Sequence, residues 1–162
     1  MNIYLAARYS RREELCTYRS WLLTAGAQVT SRWLDGDHQV TDGQLLGADD
    51  AQVIEGDSQD ESAVELRRRF ALEDWADLLR ADLVVSFTEP PRSNASRGGR
   101  HVEFGAALAL NKQCMVVGPR ENVFHCMPRV AVYDDWLTCS AVIAKALLDE
   151  HRARDYNSVK AP

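Results

Sequence analysis

The chain has 162 residues, of which 46% are hydrophobic, so it is long enough to bury the core of one globular domain. Its formal net charge of -5 argues against a nucleic-acid polymer as the main partner, although small anionic ligands remain open. The sequence contains no run of about 20 apolar residues, so no membrane-spanning segment and no membrane partner are expected.

The cysteines and the N-terminus indicate a cellular setting. Four cysteines are scattered along the chain, with no Cys-x-x-Cys pair and no histidine pair at zinc spacing. The first fifteen residues lack the charged, apolar and small-residue pattern of a secretory signal. We therefore expect a cytoplasmic protein that needs no metal or other cofactor.

The first part of the chain predicts two strands around one helix. Residues 3–6 (IYLA) form a short buried strand, and residues 28–33 (QVTSRW) form the second. Ser10, with Glu13 three positions later, predicts a capping box at the start of a helix that ends at Gly26. The apolar stripe of that helix comprises Leu15, Tyr18, Leu22 and Leu23.

The middle of the chain predicts a long segment and a helix. Residues 35–61 are rich in Asp, Gly, Gln and His, and a loop of this length is usually functional or disordered. Residues 61–80 then predict a helix. The apolar positions predicted to face the core are Leu72, Trp75, Ala76 and Leu79.

The remaining strands complete an alternating pattern. Strands are predicted at residues 82–87, 114–118 and 130–133, with a helix after the glycines near residue 100 and a last helix over residues 138–151. This alternation predicts a three-layer α/β fold, a flavodoxin- or Rossmann-like parallel sheet of about five strands with helices on both faces. We expect one domain over residues 1–153 and a loose tail over residues 154–162.

In such a sheet, ligands bind beyond the carboxyl ends of the strands. Side chains that follow predicted strands are therefore candidates for one crevice. These are Arg8, Tyr9, Trp33, the loop of residues 89–99, Glu103 and Asn122.

Glu103 is the leading catalytic candidate. The segment of residues 96–105 (SRGGRHVEFG) places it after two glycines and in the first turn of the predicted helix. The helix dipole favours an ionised carboxylate there, as a nucleophile or electrostatic catalyst requires. The plain alternative is a glycine turn followed by a Glu that merely favours a helix N-terminus.

Asp74 is the best candidate for a second carboxylate. It lies at the margin of the apolar stripe, where partial desolvation raises a carboxyl pKa and suits proton donation. Asp77 is rotated towards solvent in this helix. The alternative is that Glu73, Asp74 and Asp77 form an ordinary solvated acidic face, with Arg80 one turn from Asp77. We favour this structural role for Asp77 and leave both roles open for Asp74. Two carboxylates acting on one sugar carbon are typical of glycosidic-bond cleavage.

Other residues offer binding groups, each with a structural alternative. Ser96, Gly98 and Gly99 supply a hydroxyl and N–H groups for an anion or a ribose hydroxyl. His101 is either a ligand or proton donor, or a half-exposed histidine at a helix start. Tyr9 and Trp33 either stack on a base or fill the core.

Three segments taken together resemble the nucleoside 2-deoxyribosyltransferase family, which includes the 2'-deoxynucleoside 5'-monophosphate N-glycosidases. They are the strand IYLA, the run DWADLLRADLVVSF and the run SRGGRHVEFGAALALNK. The resemblance covers residues 1–10 and 70–118 and implies a transferase-like domain over residues 1–153. It implies that Glu103 is the nucleophile, that Tyr4 holds it, and that Asp74 is the second catalytic acid.

The resemblance also implies a substrate site and an assembly. The loop before Glu103 grips the sugar or phosphate, and Asn122 completes the pocket. The predicted substrate-binding residues are Arg8, Tyr9, Ser10, Trp33, Asp77, Ser96, Gly98, Gly99, His101 and Asn122. The partner is a small deoxynucleoside or deoxynucleotide, no cofactor is needed, and a homodimer or larger homo-oligomer is expected. Three features depart from the family: the extra Arg97 and Arg100, residues 118–125, and the insert of residues 35–61.

Three functions are compatible with these residues. The first is transfer of deoxyribose to another base through a deoxyribosyl-enzyme on Glu103. The second is hydrolysis of the same bond in a 5'-monophosphate, favoured by arginines that offer a phosphate site, namely Arg8, Arg11, Arg12, Arg97 and Arg100. The third is a nucleotide-sensing module without turnover. A separate alternative is a plain scaffold for protein partners, which would bind no nucleotide.

Overall fold

The computed structural model describes residues 1–36, 38, 61–90 and 98–160, with side chains up to residue 156. Five strands form one parallel sheet in the order β2-β1-β3-β4-β5. The strands are β1 (Asn2–Ala6), β2 (Gln28–Val29), β3 (Leu83–Phe87), β4 (Gln113–Val117) and β5 (Val130–Tyr133). This strand order is that of the flavodoxin-like doubly wound fold, and it confirms the predicted fold class.

Within the described ranges, four α-helices cover the two faces of the sheet. They are α1 (Arg12–Thr24), α2 (Glu61–Arg80), α3 (Gly99–Ala109) and α4 (Trp136–Lys160). The Tyr18 ring on α1 stacks on Trp136 of α4 at 4.5 Å and on Phe87 of β3 at 5.6 Å, so α1 and α4 share one face. Tyr4 pairs in register with Val84, so the two side chains lie on the same face of the sheet. Val84 and Phe87 are three positions apart in β3 and point to opposite faces, so Tyr4 lies on the face away from α1 and α4, where its hydroxyl contacts Glu103 of α3.

The start of α1 differs from the predicted capping box. A 3-10 turn over Tyr9–Arg11 comes first, α1 begins at Arg12, and no side chain caps it. Ser10 lies exposed in the turn, so a cap by Ser10 with Glu13 is wrong. The chain leaves β1 in a tight turn that delays the α-helix beyond the position where Ser10 could act as the cap.

The second predicted strand is much shorter than expected. Only Gln28–Val29 pair with β1, and residues 32–35 form a 3-10 helix. That helix buries Trp33 and Leu34, which are 5% and 0% exposed. The apolar side chains at the end of the predicted strand therefore enter the core from a helical turn.

The α2 helix has the predicted bounds but presents a different face to the core. Leu72, Trp75 and Leu79 are 64%, 47% and 48% exposed, and Ala76 is also exposed. Buried instead are Ala63, Phe70, Asp77 and Leu78. The prediction was wrong because an ion pair draws Asp77 inward, and hydrophobic periodicity does not register such a polar contact.

The C-terminal helix is longer than predicted. It runs from Trp136 to Lys160, so residues 154–160 are helical rather than loose. Cys139, Ile143 and Leu147 anchor its first half in the core. Most of the predicted long segment of residues 35–61, together with residues 91–97, lies outside the described residues.

Candidate active site

The centre of the candidate site is a hydrogen bond between Tyr4 and Glu103. Tyr4 is 0% exposed in the middle of β1, and its hydroxyl donates to Glu103 Oε1 at 2.9 Å. Gly98, with φ of 80°, turns the chain into α3 in a left-handed conformation that favours glycine. The turn and the strand together bring Glu103 against the sheet, where its side chain is half-buried.

Glu103 does not have the environment that its sequence position suggested. It is the fifth residue of α3, in the second turn, and no acidic residue lies in the first turn. Burial raises the pKa of Glu103 to about 7, while the hydrogen bond from Tyr4 acts in the opposite direction. The expectation that Glu103 lies in the first turn is wrong, so the helix dipole, whose effect fades beyond that turn, acts on it only weakly, and desolvation raises its pKa.

Asp74 is the second carboxylate of the site. Burial raises its pKa to about 7, with further upward contributions from the charges of Glu103, Asp77 and Glu73, and Arg32 opposes them. This is the raised pKa expected from a boundary position on the helix. Among the described residues, no hydrogen-bond donor satisfies Asp74 Oδ1.

Tyr4, Asp74 and Glu103 form one electrostatic unit. The pKa of Tyr4 lies well above its usual value because of burial first, and then because of the charges of Glu103 and Asp74. Two carboxyl groups that interact in this way titrate as a pair. Because both pKa values are raised to about 7, the two carboxyl groups do not both ionise readily near neutral pH.

His38 is a site residue that the sequence did not identify. Its Nε2 lies 3.1 Å from Glu73 Oε2 and 3.6 Å from Asp74 Oδ1, and each contact is an ion pair when the imidazole is protonated. The ring stacks on Phe70 at 4.7 Å, and the side chain is only 6% exposed. No motif surrounds His38, so only the folded chain reveals its neighbours.

Asp77 lies beside the site in a fully engaged state. It is 0% exposed and accepts from the Arg32 main-chain N–H at 2.9 Å, from the Arg32 guanidinium at 2.8 to 3.1 Å and from Arg80 Nη2 at 2.5 Å. The expectation that Asp77 faces solvent is wrong. Since these donors occupy both oxygens, the contacts do not support the substrate-binding role predicted for Asp77.

The arginines of the carboxyl edge also have acidic neighbours. Arg8 and Arg11 each lie 3.7 Å from a carboxylate oxygen of Glu89. The buried Arg100 donates to Glu121 Oε1 at 2.6 Å. The charge that the sequence assigned to a 5'-phosphate site is therefore shared with carboxylates of the chain.

The two predicted stacking aromatics occupy different settings. Trp33 is buried, and its indole N–H donates to the carbonyl of Leu5 at 2.9 Å, which matches the core alternative. Tyr9 is partly buried, with its hydroxyl donating to the carbonyl of Gly36 at 2.7 Å. The rings of Tyr9 and Trp33 are 6.2 Å apart.

Asn122 and His101 come together at the end of β4. Asn122 Nδ2 lies 3.4 Å from His101 Nδ1 and 3.2 Å from Nε2 of the buried His125. Burial lowers the pKa of His125, which favours the neutral ring, while the charge of Glu121 opposes this shift. Asn122 thus lies between two histidines, the predicted binding residue His101 and the buried His125. Gly98 is the N-cap of α3 and Gly99 is its first residue, whereas Ser96 lies outside the described residues.

Two kinds of feature are absent from the described part of the chain. No group of three or more His, Cys, Asp or Glu side chains there is arranged to hold a metal ion. In the same ranges, no helix combines the length and the apolar character needed to cross a bilayer.

Comparison with known proteins identifies the fold. No protein-family model matches the chain, and no curated protein sequence matches it. A CMP N-glycosidase from Clostridium botulinum aligns at 17% identity over 82% of this chain and 88% of its own, but a TM-score of 0.43 does not by itself establish a common fold. A 2-deoxyribosyltransferase from Bacillus psychrosaccharolyticus aligns at 20% identity, TM-score 0.56, over 86% of this chain and 90% of its own. The chain therefore has the fold of that 2-deoxyribosyltransferase.

Proposed function

We propose that this chain cleaves the N-glycosidic bond of a 2'-deoxyribonucleoside or its 5'-monophosphate and passes the deoxyribose to another base. The observation that carries the proposal is the pair of carboxyl groups, Glu103 and Asp74, each with a pKa raised to about 7. A buried tyrosine orients one of them. The fold shared with a 2-deoxyribosyltransferase supports the same conclusion.

The surroundings favour a different role for each carboxyl group. Tyr4 donates a hydrogen bond to Glu103, which favours the ionised form and suits a nucleophile. Asp74 faces the negative charges of Glu103, Asp77 and Glu73, which favour its protonated form. Asp74 is therefore the general acid, and His38 beside it helps to balance the local negative charge when protonated.

The first step forms the covalent intermediate. A carboxylate oxygen of Glu103 attacks C1' of the sugar, and the bond from C1' to the base nitrogen breaks with its electron pair going to the base. The Asp74 proton moves to a ring nitrogen of the leaving base. The products are an ester between deoxyribose and Glu103, a neutral base and an ionised Asp74.

The second step reverses the first with a new acceptor. A ring nitrogen of the incoming base attacks C1', the ester bond to Glu103 breaks, and the acceptor proton returns to Asp74. Water in place of the base gives hydrolysis by the same route. Because the missing 2'-hydroxyl makes a cationic anomeric centre easier to form, deoxy sugars suit a site with two carboxylates.

The neighbours of the arginines favour a nucleoside over a nucleotide. Arg8 and Arg11 face Glu89, and Arg100 is buried against Glu121. A 5'-phosphate at this edge has to compete with these carboxylates for the arginines, whereas an uncharged 5'-hydroxyl is not repelled by the carboxylates. We therefore rank deoxynucleosides first and deoxynucleoside 5'-monophosphates second as substrates.

The exposed apolar face of α2 supports a homo-oligomer. Leu72, Trp75 and Leu79 are all 47% exposed or more, although side chains of this size are usually buried in a monomer. Trp75 directly follows Asp74 in the chain, so a second copy on this face borders the catalytic acid. The assembly proposed from the family resemblance thus has an apolar surface available to it.

The decisive experiment measures base release and base exchange. The protein is incubated with 2'-deoxynucleosides or with dCMP and dGMP, with and without free adenine, and free bases and new nucleosides are quantified by chromatography. We expect new deoxyadenosine from deoxynucleosides and a loss of about a thousandfold or more in Glu103→Ala. The matched control, Glu13→Gln at an exposed position of α1, keeps full activity.

The outcomes separate the alternatives. Free base without a new nucleoside, from monophosphates alone, supports the hydrolytic alternative. Nucleotide binding without turnover, unaffected by Glu103→Gln, supports a sensing module. Base release that persists in Glu103→Ala refutes the mechanism.

A further inference from the structure

A second cleft lies along the outer edge of β2, the edge strand of the sheet. Its volume is about 380 Å³, and Tyr4, Asp74 and Glu103 do not line it. Three arginines reach it from three parts of the fold: Arg19 from α1, Arg32 from the 3-10 helix after β2, and Arg80 from the end of α2. The convergence of guanidinium groups from distant parts of the chain is the chief feature of this cleft.

The arginines keep hydrogen-bond donors available. Arg32 uses Nε and Nη2 for Asp77, and Arg80 uses Nη2 for the same carboxylate. Among the described residues, no acceptor engages Nη1 of either arginine. The side chains of Arg32 and Arg80 are 39% and 58% exposed, so these groups are accessible to a ligand. Asp77 thus holds two guanidinium groups side by side.

The charges of the cleft add up to a local positive excess. Four charged side chains line the cleft, and three of them are arginines while the fourth is Asp35, in a chain whose net charge is -5. Asp77 pairs with Arg32 and Arg80 from outside this lining, and the negative charges of Glu73 and Asp74 also act on Arg32. The pair between Arg19 and Asp35 is 2.7 Å long, but Asp35 is 63% exposed. An exposed pair of this kind contributes little to stability, so Asp35 yields readily to a stronger anion.

We propose that this cleft binds a phosphate group held by Arg19, Arg32 and Arg80, at a site separate from the paired carboxyl groups of Asp74 and Glu103. Guanidinium groups bind phosphate through parallel N–H···O bonds, and converging guanidiniums match a doubly charged tetrahedral anion better than a single carboxylate. The cleft has the volume of a small-molecule site, so it admits either inorganic phosphate or a small phosphate monoester. Binding here requires no turnover, so the site stands or fails independently of the proposed function.

The test is calorimetric titration of the whole chain with inorganic phosphate and, in a second arm, with glycerol 3-phosphate, which has no N-glycosidic bond. We expect saturable one-to-one binding that weakens with added NaCl. Arg80→Ala and Arg19→Ala should each weaken it about tenfold or more. Arg19→Ala leaves the ion pairs of Asp77 intact, so it tests the site even if Arg80→Ala perturbs folding.

Two controls localise the binding. Arg8→Ala removes an arginine at the carboxyl edge, and Arg154→Ala removes an exposed one from α4; neither should change the affinity. Tighter binding of glycerol 3-phosphate than of phosphate assigns the site to monoesters, and the reverse assigns it to the free anion. The absence of saturable binding, or binding that depends on Arg8 but not on Arg19, overturns the proposal.

Discussion

Replacing Tyr4 by phenylalanine isolates the hydrogen bond that orients the nucleophile. The substitution removes one hydroxyl group, which donates to Glu103 Oε1 at 2.9 Å. A hydrogen bond to a charged group contributes about 1.5 to 3 kcal/mol, which corresponds to about 1 to 2 pKa units. Because the bond stabilises the ionised carboxylate, its loss raises the pKa of Glu103 above the present value of about 7.

The consequence for activity follows from the paired titration. With both pKa values near 7, about half of the singly protonated pairs hold the proton on Asp74, as the mechanism requires. After the substitution that share falls to between about a tenth and a hundredth. We therefore expect the maximum of kcat/KM to fall about 5- to 50-fold and the pH optimum to rise by about 0.5 to 1 unit.

The assay is the rate of base release from a deoxynucleoside between about pH 5 and pH 9. Tyr18→Phe is the matched control, because Tyr18 donates to Glu14 Oε1 at 2.8 Å and packs on the opposite face of the sheet. The control should leave both the maximum and the optimum unchanged. A Tyr4→Phe variant with the wild-type optimum and maximum would show that the hydroxyl does not govern the state of Glu103.

Three further substitutions address charge burial and assembly. In urea unfolding, Asp74→Asn should stabilise the protein by about 2 to 4 kcal/mol at pH 8 but not at pH 4. The reason is that the native pKa of Asp74, about 7, lies above its ordinary value of 3.8, so the stability linked to the carboxyl group is lost as pH rises through 7. Arg32→Ala should lower the free energy of unfolding by about 2 to 4 kcal/mol, measured in the same way, because it strips a buried Asp77 of its main partner. Leu72→Glu should convert the proposed homo-oligomer into monomers in sedimentation velocity, since it places a charge on the exposed apolar face.

Matched controls make these outcomes specific. Asp134→Asn, at an exposed aspartate, should show no pH-dependent gain, and equal gains in both variants would contradict the account of Asp74. Arg32→Lys should recover only part of the lost stability, because an ammonium group does not reproduce a two-point contact, and full recovery would refute that geometry. Leu148→Glu changes a leucine that is 58% exposed on α4, and it should leave the assembly intact.

The order of strands and helices was readable from the sequence for a local reason. Strands of a parallel sheet are buried on both faces, so they occur as short apolar runs such as residues 83–87 and 113–117. Such runs alternate with helical segments, and this alternation predicts the layered fold without knowledge of any contact. The second strand was predicted too long and α1 was predicted to begin too early, because turn geometry, rather than apolar pattern, decides where those elements begin and end.

The sequence also identified the three residues at the centre of the candidate site, through segments in a recognisable order. It did not determine their electrostatics. Glu103 was expected to be ionised by a helix dipole, yet burial raises its pKa, and Asp77 was expected in solvent, yet it is fully buried.

These errors share one physical cause. The pKa of a carboxyl group depends on its desolvation and on charges a few ångströms away, and those neighbours come from distant parts of the chain. Tyr4 and Glu103 are 99 positions apart, and Arg32 and Asp77 are 45 apart. Local sequence determined which elements form and which chemical groups they carry, whereas only the tertiary structure decided which groups meet, which face of α2 is buried, and how strongly the paired carboxyls are desolvated.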